Sequence, residues 1–457
     1  MSIIRNLIFT FFVGVFCTAN VYAQDFSNKG KEFWVVFPPH QPSGTTSLAD
    51  LSLYISSDKN TSGHIVINGD SISFNIIAFT PQEFILPRAT TYVSGAESAT
   101  DDPTSIQKTV LNKGIKVIVT EGRPGVVVYA HMYASARSAA SIILPTSVLE
   151  KKYQVISYTQ SAQPVSGAEV NEFRRSQFSV VAVEDNTVIR IQLRKSGQIS
   201  GSPYDVELPK AGTIYSFQDP IDLTGTSIES VSIDGSVCKK IAVFSGSSSL
   251  SIGASGSVDP LYQQSYPTNS WGLNYFITPY RGKNKFNIRV LAKEDGTVIN
   301  VNGQAVPINA NEFKEYSYTN QAAFAINSNK PVAVAQYSLT QSADIGVGDP
   351  DMVILNPVEQ NINDVTVFLT PKFDISDQNI NVVIKDEGIS TFKINGQKPT
   401  STFVKIPNTN YSYLQEKFTA LNGYLSIRLT SDSGFNAFCY GFGNVESYSY
   451  SAGTNVK

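Results

Sequence analysis

A chain of 457 residues in which 42% of positions are hydrophobic and 16% are charged has the composition of a folded globular protein, which excludes disorder and collagen. Its 35 Lys and Arg against 38 Asp and Glu give a formal charge of -3 without any run of five like charges, so there is no electrostatic footprint for DNA, RNA or an acidic membrane surface. The length makes room for about two to four domains, each able to bury a core.

In chain order, the first element is an export signal. Arg5 supplies a positive start, Leu7 to Cys17 is apolar, and Val21-Tyr22-Ala23 is a small-residue cleavage site, so residues 1–23 are expected to be removed after Ala23. The apolar stretch falls short of the roughly 20 residues a membrane helix needs. Bulky Phe16 ahead of Cys17 argues against a lipoprotein acceptor. The thiols left, Cys238 and Cys439, are too few for a disulfide framework and are expected as buried small hydrophobes rather than a mutual bridge.

Strand signals follow throughout. Val, Ile, Tyr and Phe recur in short alternating runs such as LSLYISS, HIVING, FSVVAVE, VIRIQL and FNIRVLA. Between runs lie Asp185-Asn186, Asp295-Gly296, Asn302-Gly303 and Asn395-Gly396, dipeptides that accept the positive φ angles of two-residue hairpin turns, so mostly antiparallel sheets are predicted. A longer period is superimposed. Strand, turn and strand recur near Asp58, Asp185, Asp295 and Asp386 and open a unit each time; second recurrences around Tyr129, Phe244, Tyr337 and Tyr440 close it. Junctions repeat as well, as Asp259-Pro260 ahead of Pro267 and Asp349-Pro350 ahead of Pro357.

These repeats predict an all-β chain of four units of about 100 residues each, over 24–141, 142–255, 256–349 and 350–457. Tandem antiparallel β-sandwiches suit that size, and the alternative is propeller-like radial packing of the hairpins. The Ser/Gly-rich stretch 246–258 reads as a surface loop.

Catalytic signatures are sparse. A Ser-His pair needs a histidine base, and the chain has only His40, His64 and His131, without a G-x-S-x-G elbow; His64 and His131 read as strand residues and His40 as a loop residue. No zinc motif, EF-hand loop, phosphate loop or dinucleotide fingerprint occurs, so no cofactor is expected. Asp101-Asp102 and Asp349-Pro350-Asp351 are acidic loops that would suit calcium, but read more simply as solvated charge. Aromatic side chains are the remaining candidates, since exposed Tyr and Trp stack on sugars or anchor partners. Tyr262, Tyr266, Trp271, Tyr275 and Tyr280 form the densest group and are the candidate ligand-binding residues. Core packing at a unit boundary is the rival reading, because Trp34 holds a comparable strand position in the first unit. Tyr440, Tyr448 and Tyr450 share that ambiguity.

The stretches NKGKEFWVVFPP, FSVVAVEDNTVIRI, IDLTGTSIESV, KKIAVFSGSS, WGLNYFITP, RVLAKEDGTVINVNG, KPVAVAQYS, GDPDMVILNPVEQ and CYGFGNVESYSYSAG resemble, in order, the N-terminal domain of the IgGFc-binding protein family. The family occurs in animal mucus-associated proteins and in exported proteins of Bacteroidetes-like bacteria, and this chain looks like a bacterial member. Animal members place cysteines in loops where this chain is serine-rich after Phe244-Ser245-Gly246, and long bacterial relatives continue into a sorting region beyond the point that corresponds to Lys457. Fc binding belongs to the animal namesake, with no residue motif to carry it here. Together, the export signal, the β array and the resemblance imply a secreted or cell-surface, non-enzymatic binding or adhesion protein. Its expected partners are extracellular glycoproteins or polysaccharide, with no nucleic acid and no integral membrane segment after signal removal. A self-associating matrix or envelope component, through edge strands or unit faces, and a secreted glycan hydrolase are the alternatives.

Overall fold

The computed structural model describes residues 27–40, 49–93, 107–134, 136–159, 174–232, 235, 237–319, 322–370, 372, 375–419 and 425–456. The export signal at 1–23 and Asp101-Asp102 lie outside them. Runs that alternate apolar and polar become short strands, because β-branched and aromatic side chains pack well on a pleated surface that turns every second residue inward. Among the described residues helix is limited to single turns such as Arg88–Thr91.

One plan is repeated in four units. A leading strand (Glu32–Val35, Lys152–Gln154, Gly272–Ile277 or Ile362–Leu369) pairs with the first part of a return segment, and a closing strand (Arg137–Ile143, Asp259–Gln264, Met352–Ile354 or Glu446–Ser451) pairs with its second part, always antiparallel. In the first two units the return segment is two strands, Ile115–Val119 then Val127–Ala134, and Ser227–Val231 then Ile241–Leu250. In the last two it is a single strand, Phe324–Tyr337 and Leu425–Gly443. Because each return segment passes from one sheet to the other, it ties the two layers into a sandwich. In the second unit the core between the layers is Phe178, Val180, Ile189, Ile191, Phe217 and Val243. Hydrogen bonding carries the second unit through Asp259–Gln264 and the third through Met352–Ile354.

The sandwiches are set radially, like the blades of a four-bladed propeller, with their closing strands innermost. Gln263 shows this most directly. Its Nε2 lies 2.8 Å from the Ala140 carbonyl, 2.6 Å from that of Met352 and 3.1 Å from that of Ser449, so one amide joins the closing strands of all four units. Two further devices hold the ring. Gln107–Asn112 of the first unit adds an edge strand to Thr213–Asp219 of the second. The first and last of the described segments also meet, with Ser27 bridging Asn455 and the Asn28 amide donating to the Thr454 carbonyl at 2.9 Å.

Two expectations change. The strand-turn-strand repeats that open each unit are arches across the core rather than hairpins. Asp50–Ser56 pairs with Gln82–Ile85 and Val127–Ala134, whereas Thr61–Ile67 pairs with Asp70–Ile76 and Ile115–Val119 in the opposite sheet. The strands on either side of Asp185-Asn186 and Asp295-Gly296 likewise pair elsewhere and not with each other. An arch buries both inward faces against one core as well as a hairpin does, so alternation marks the turn without choosing the partner. A true two-residue hairpin occurs at Asn302-Gly303, with φ of 51° and 81°, joining Thr297–Val301 to Gln304–Ile308. The second change concerns stretch 246–258, which begins inside the strand Ile241–Leu250 and is buried there rather than looped on the surface. Small serines let that strand lie tightly between neighbours while their hydroxyls stay bonded, as Ser245 Oγ does with Ser265 Oγ at 3.0 Å.

Candidate functional site

None of the five candidate aromatic residues exposes more than 8% of its surface. Tyr262 stacks on Phe244 at 5.7 Å and donates its hydroxyl to the Val36 carbonyl at 2.9 Å, across the seam between the first and second units. Tyr275 donates to the Val332 carbonyl at 2.6 Å within its own unit. Tyr280 donates to Asp351 Oδ1 at 3.0 Å and stands edge-on to Tyr440 and Phe442 of the fourth unit. Tyr266, Trp271 and Tyr275 help to line a narrow void of about 10 Å³, room for one water at most. The five rings are therefore distributed along seams and cores, without forming a shared platform.

The histidines are placed by packing too. His131 is fully buried among Tyr54, Tyr133, Phe368, Tyr448 and Tyr450, and burial, with the Lys372 charge behind it, holds its pKa well below the usual value. His40 is driven down to about 3, first by burial and then by the Arg88 and Arg137 charges. His64 faces Ser73 at 3.3 Å on an exposed sheet surface. Cys439 is buried, Cys238 half-buried, and both are free thiols. Among the described residues no group of three or more His, Cys, Asp or Glu is placed to hold a metal ion.

Two of the polar places among the described residues lie where the first and fourth units come together. The first is the axis, where Asp259 Oδ1 accepts from the Ser138 amide at 3.1 Å and Oδ2 from the Ser447 amide at 2.9 Å, linking three units. Glu446 accepts from the Ala136 amide at 2.6 Å. Asp351 Oδ1 accepts from Tyr280 and from Ser449 Oγ at 2.9 Å, while Asp351 Oδ2 and Asp349 Oδ2 are buried with no partner. Burial raises all three aspartates; Asp351 reaches about 6, and the Asp349 and Glu446 charges add to the rise at Asp259. The axis is packed solid. Its carboxylates fasten the closing strands of neighbouring units to one another.

The second place is open. A cleft of about 230 Å³ lies on the seam where the first unit meets the fourth, with Lys29, Ser56, Ser57 and Asp58 on one side and Asn361, Asn363, Asp364 and Thr366 on the other. Strand ends set both walls, since Asp50–Ser56 stops at the cleft and Ile362–Leu369 starts there. Two ion pairs neutralise its charges. Lys29 bonds Asp58, and although burial works against that carboxylate the ammonium outweighs it and holds its pKa below the usual range. Arg428 Nε donates to Asp364 Oδ1 at 2.9 Å. Ser56 is fully buried in the wall and its Oγ has no partner, a state that costs about 1–3 kcal/mol.

Next to the Ser57 wall stands the turn Ile77–Thr80, docked by Phe79 N to the Ser57 carbonyl at 2.8 Å and by Ala78 N to Asn60 Oδ1 at 2.9 Å. Phe79 has φ of 60°, is 41% exposed, and carries the Arg428 guanidinium 4.5 Å from its ring centre. An aromatic residue held in the left-handed region costs about 1–3 kcal/mol, and such strain collects at functional sites. Sequence reasoning passed over every residue of this cleft. Its walls come from distant parts of the chain, and the local signal is the close spacing of Asn361, Asn363 and Asp364.

The pattern of the family described as "IgGFc binding protein" matches residues 139–441. The chain belongs to that family. The IgGFc binding protein match starts in the closing strand of the first unit, so it takes in the Asn361–Thr366 wall of the cleft and leaves out the Lys29–Asp58 wall. No curated protein matches the chain. Among solved structures, it is similar to a Ca2+-stabilized adhesin described as helping an Antarctic bacterium reach out and bind ice, at 11% identity over 93% of this chain and 98% of that one. The TM-score of 0.11 carries no argument about fold or function.

Proposed function

We propose that this member of the IgGFc binding protein family is a secreted or cell-surface, non-enzymatic binding protein that contacts extracellular glycoproteins or polysaccharide. Family membership is the observation that carries the reading, because it is a binding family. The rigid ring of sandwiches supports it as a scaffold, and the seam cleft supplies the amide and hydroxyl groups that recognise hydroxyl-rich ligands. Export rests on the Arg5 to Ala23 signal; no helix of the described residues is long and apolar enough to cross a membrane. The buried aromatic group from Tyr262 to Tyr280 acts in this reading as the scaffold behind the binding surface.

The test is binding of residues 24–457 to intact mucin, to the same mucin deglycosylated, and to an Fc fragment, at two salt concentrations by biolayer interferometry. Binding lost on deglycosylation is the expected outcome. Indifference to all three would remove the reading's support.

A further inference from the structure

We propose that the cleft between the first and fourth units is a saccharide subsite that takes one uncharged pyranose ring, with Phe79 as the platform beside it. This rests on the glycan-directed reading above and adds a place and a ligand class to it. Three observations lead there.

Charge comes first. The cations at the cleft, Lys29 and Arg428, are each committed to a carboxylate, Asp58 and Asp364 respectively. An acidic sugar such as a sialic acid would find both of these cations already paired, and a cationic ligand would compete with ion pairs already made. A neutral polyol meets neither obstacle. Each hydroxyl both donates and accepts, which suits carboxylates that still have lone pairs to offer and, on the facing wall, the amide of Asn361 and the Oδ1 of Asn363, whose Nδ2 already donates to the Ser431 and Asp432 carbonyls.

Depth and size come second. The Ser56 hydroxyl is buried in the wall without a partner, so a ring hydroxyl that reached it would satisfy a group the protein leaves unsatisfied. At about 230 Å³ the cleft lies below the roughly 300–1,000 Å³ of sites for drug-sized ligands and fits one sugar ring better than an extended chain.

The third is the neighbouring turn. Phe79 is partly exposed, beside Ile77 at 67% exposure, and is fixed by backbone hydrogen bonds on both sides of its strained φ. Its partner Arg428 connects it to the Asp364 wall. A rigid aromatic face next to a row of polar groups is the arrangement that stacks on the C–H face of a pyranose while fixing its hydroxyls. Because the two walls belong to the first and fourth units, a bound sugar also bridges two units that no peptide joins directly.

The experiment uses residues 24–457 and a panel of neutral oligosaccharides ending in galactose, fucose, mannose or N-acetylglucosamine, with sialylated and sulfated counterparts, read by glycan array and then titration calorimetry. Phe79→Gly and Asn363→Ala are the variants, with melting temperature measured alongside. At least a tenfold loss of affinity for a neutral terminus is expected in both, and Phe79→Gly should melt no lower than the parent because glycine relieves the positive φ. The ligand should raise the parent's melting temperature and leave that of Phe79→Gly unchanged at the same concentration. Neutral saccharide bound equally by parent and variants would overturn the subsite and leave the glycan-directed reading standing. Preference for sialylated or sulfated termini would overturn the ligand class. No saccharide bound by the parent would remove both.

Discussion

The seam between the second and third units and the seam between the fourth and first are both built from Tyr, Arg, Lys and acids, yet they are closed in opposite ways. At the former, Arg289 is 4% exposed and fully engaged: Nη1 lies 2.6 Å from Asp222 Oδ2 and 2.6 Å from the Ser157 carbonyl, Nε lies 2.8 Å from Glu315 Oε2, and the guanidinium sits 3.9 Å from the Tyr158 ring centre. At the latter, the inner half is a nest of rings in which Tyr54, Tyr129 and Tyr450 surround Phe368 and Tyr129 donates to the Ala452 carbonyl at 2.5 Å. Its outer half is the open polar cleft. Neighbours joined by the chain can use a directional lock, because their register is already set. The first and last units must find each other without a link, and non-directional apolar area is the stronger source of free energy for that.

Removing one member of each closure gives the largest expected effects. Phe368→Ala should cost about 3–5 kcal/mol in urea denaturation, through lost burial and the cavity left behind. Arg289→Met should cost a similar 3–5 kcal/mol or so for a different reason, since it strands the buried Asp222 carboxylate. The double variant Arg289→Met with Asp222→Leu distinguishes the two causes. It should recover much of the loss, whereas no polar substitution beside Phe368→Ala should. A double variant as unstable as the single one would show that Arg289 acts through shape and not charge, and the contrast between the seams would fail.

Much of the fold is legible in the sequence because each unit is specified by local alternation repeated in order. FSVVAVE and VIRIQL announce strands wherever they are placed, and the junction prolines recur. What alternation cannot announce is partnership. The arch at Asp185-Asn186 and the hairpin at Asn302-Gly303 carry similar turn residues, and only the sheets decide between them. The ring itself hangs on groups such as Gln263, whose three carbonyl contacts come from residues 140, 352 and 449. The cleft was invisible for the same reason: Ser56 and Asn363 are ordinary polar residues until the first and fourth units are brought together. The aromatic group from Tyr262 to Tyr280 stood out because aromatic density is a local property, and the structure uses that density at seams and in cores.

The axis extends the comparison to a buried carboxyl that makes no ion pair among the described residues. Burial raises Asp351 from 3.8 to about 6 against the hydrogen bonds from Ser449, Tyr280 and Ser338, with Lys283 and the raised Asp349 as its charged neighbours. A carboxyl whose folded pKa lies above its unfolded one binds a proton in the native state first, so its contribution is fully present below about pH 4 and is lost as pH rises through 6. Asp351→Asn should therefore be more stable than the parent at pH 7.5 by roughly 2–3 kcal/mol, with the difference vanishing near pH 4. Parallel melting curves for the two proteins across that range would check it, and a constant difference would show that Asp351 keeps its charge.

The smallest effect separates geometry from environment. Arg190 and Asp205 face each other on paired outer strands of the second unit with two parallel contacts, Nε to Oδ1 and Nη2 to Oδ2, both at 2.8 Å. This matches the Arg289 lock in distance and improves on it in being bidentate with a single acid. Its side chains, however, are 52% and 33% exposed, against 5% and 5% for Arg289 and Asp222. Water screens the exposed pair and solvates either member if the other is removed, so no charge is stranded. Arg190→Ala should leave the urea midpoint within the scatter of replicate curves, at low salt as at high. A midpoint shift approaching that of Arg289→Met would mean that ion-pair geometry, rather than removal from water, decides which contacts hold the ring together.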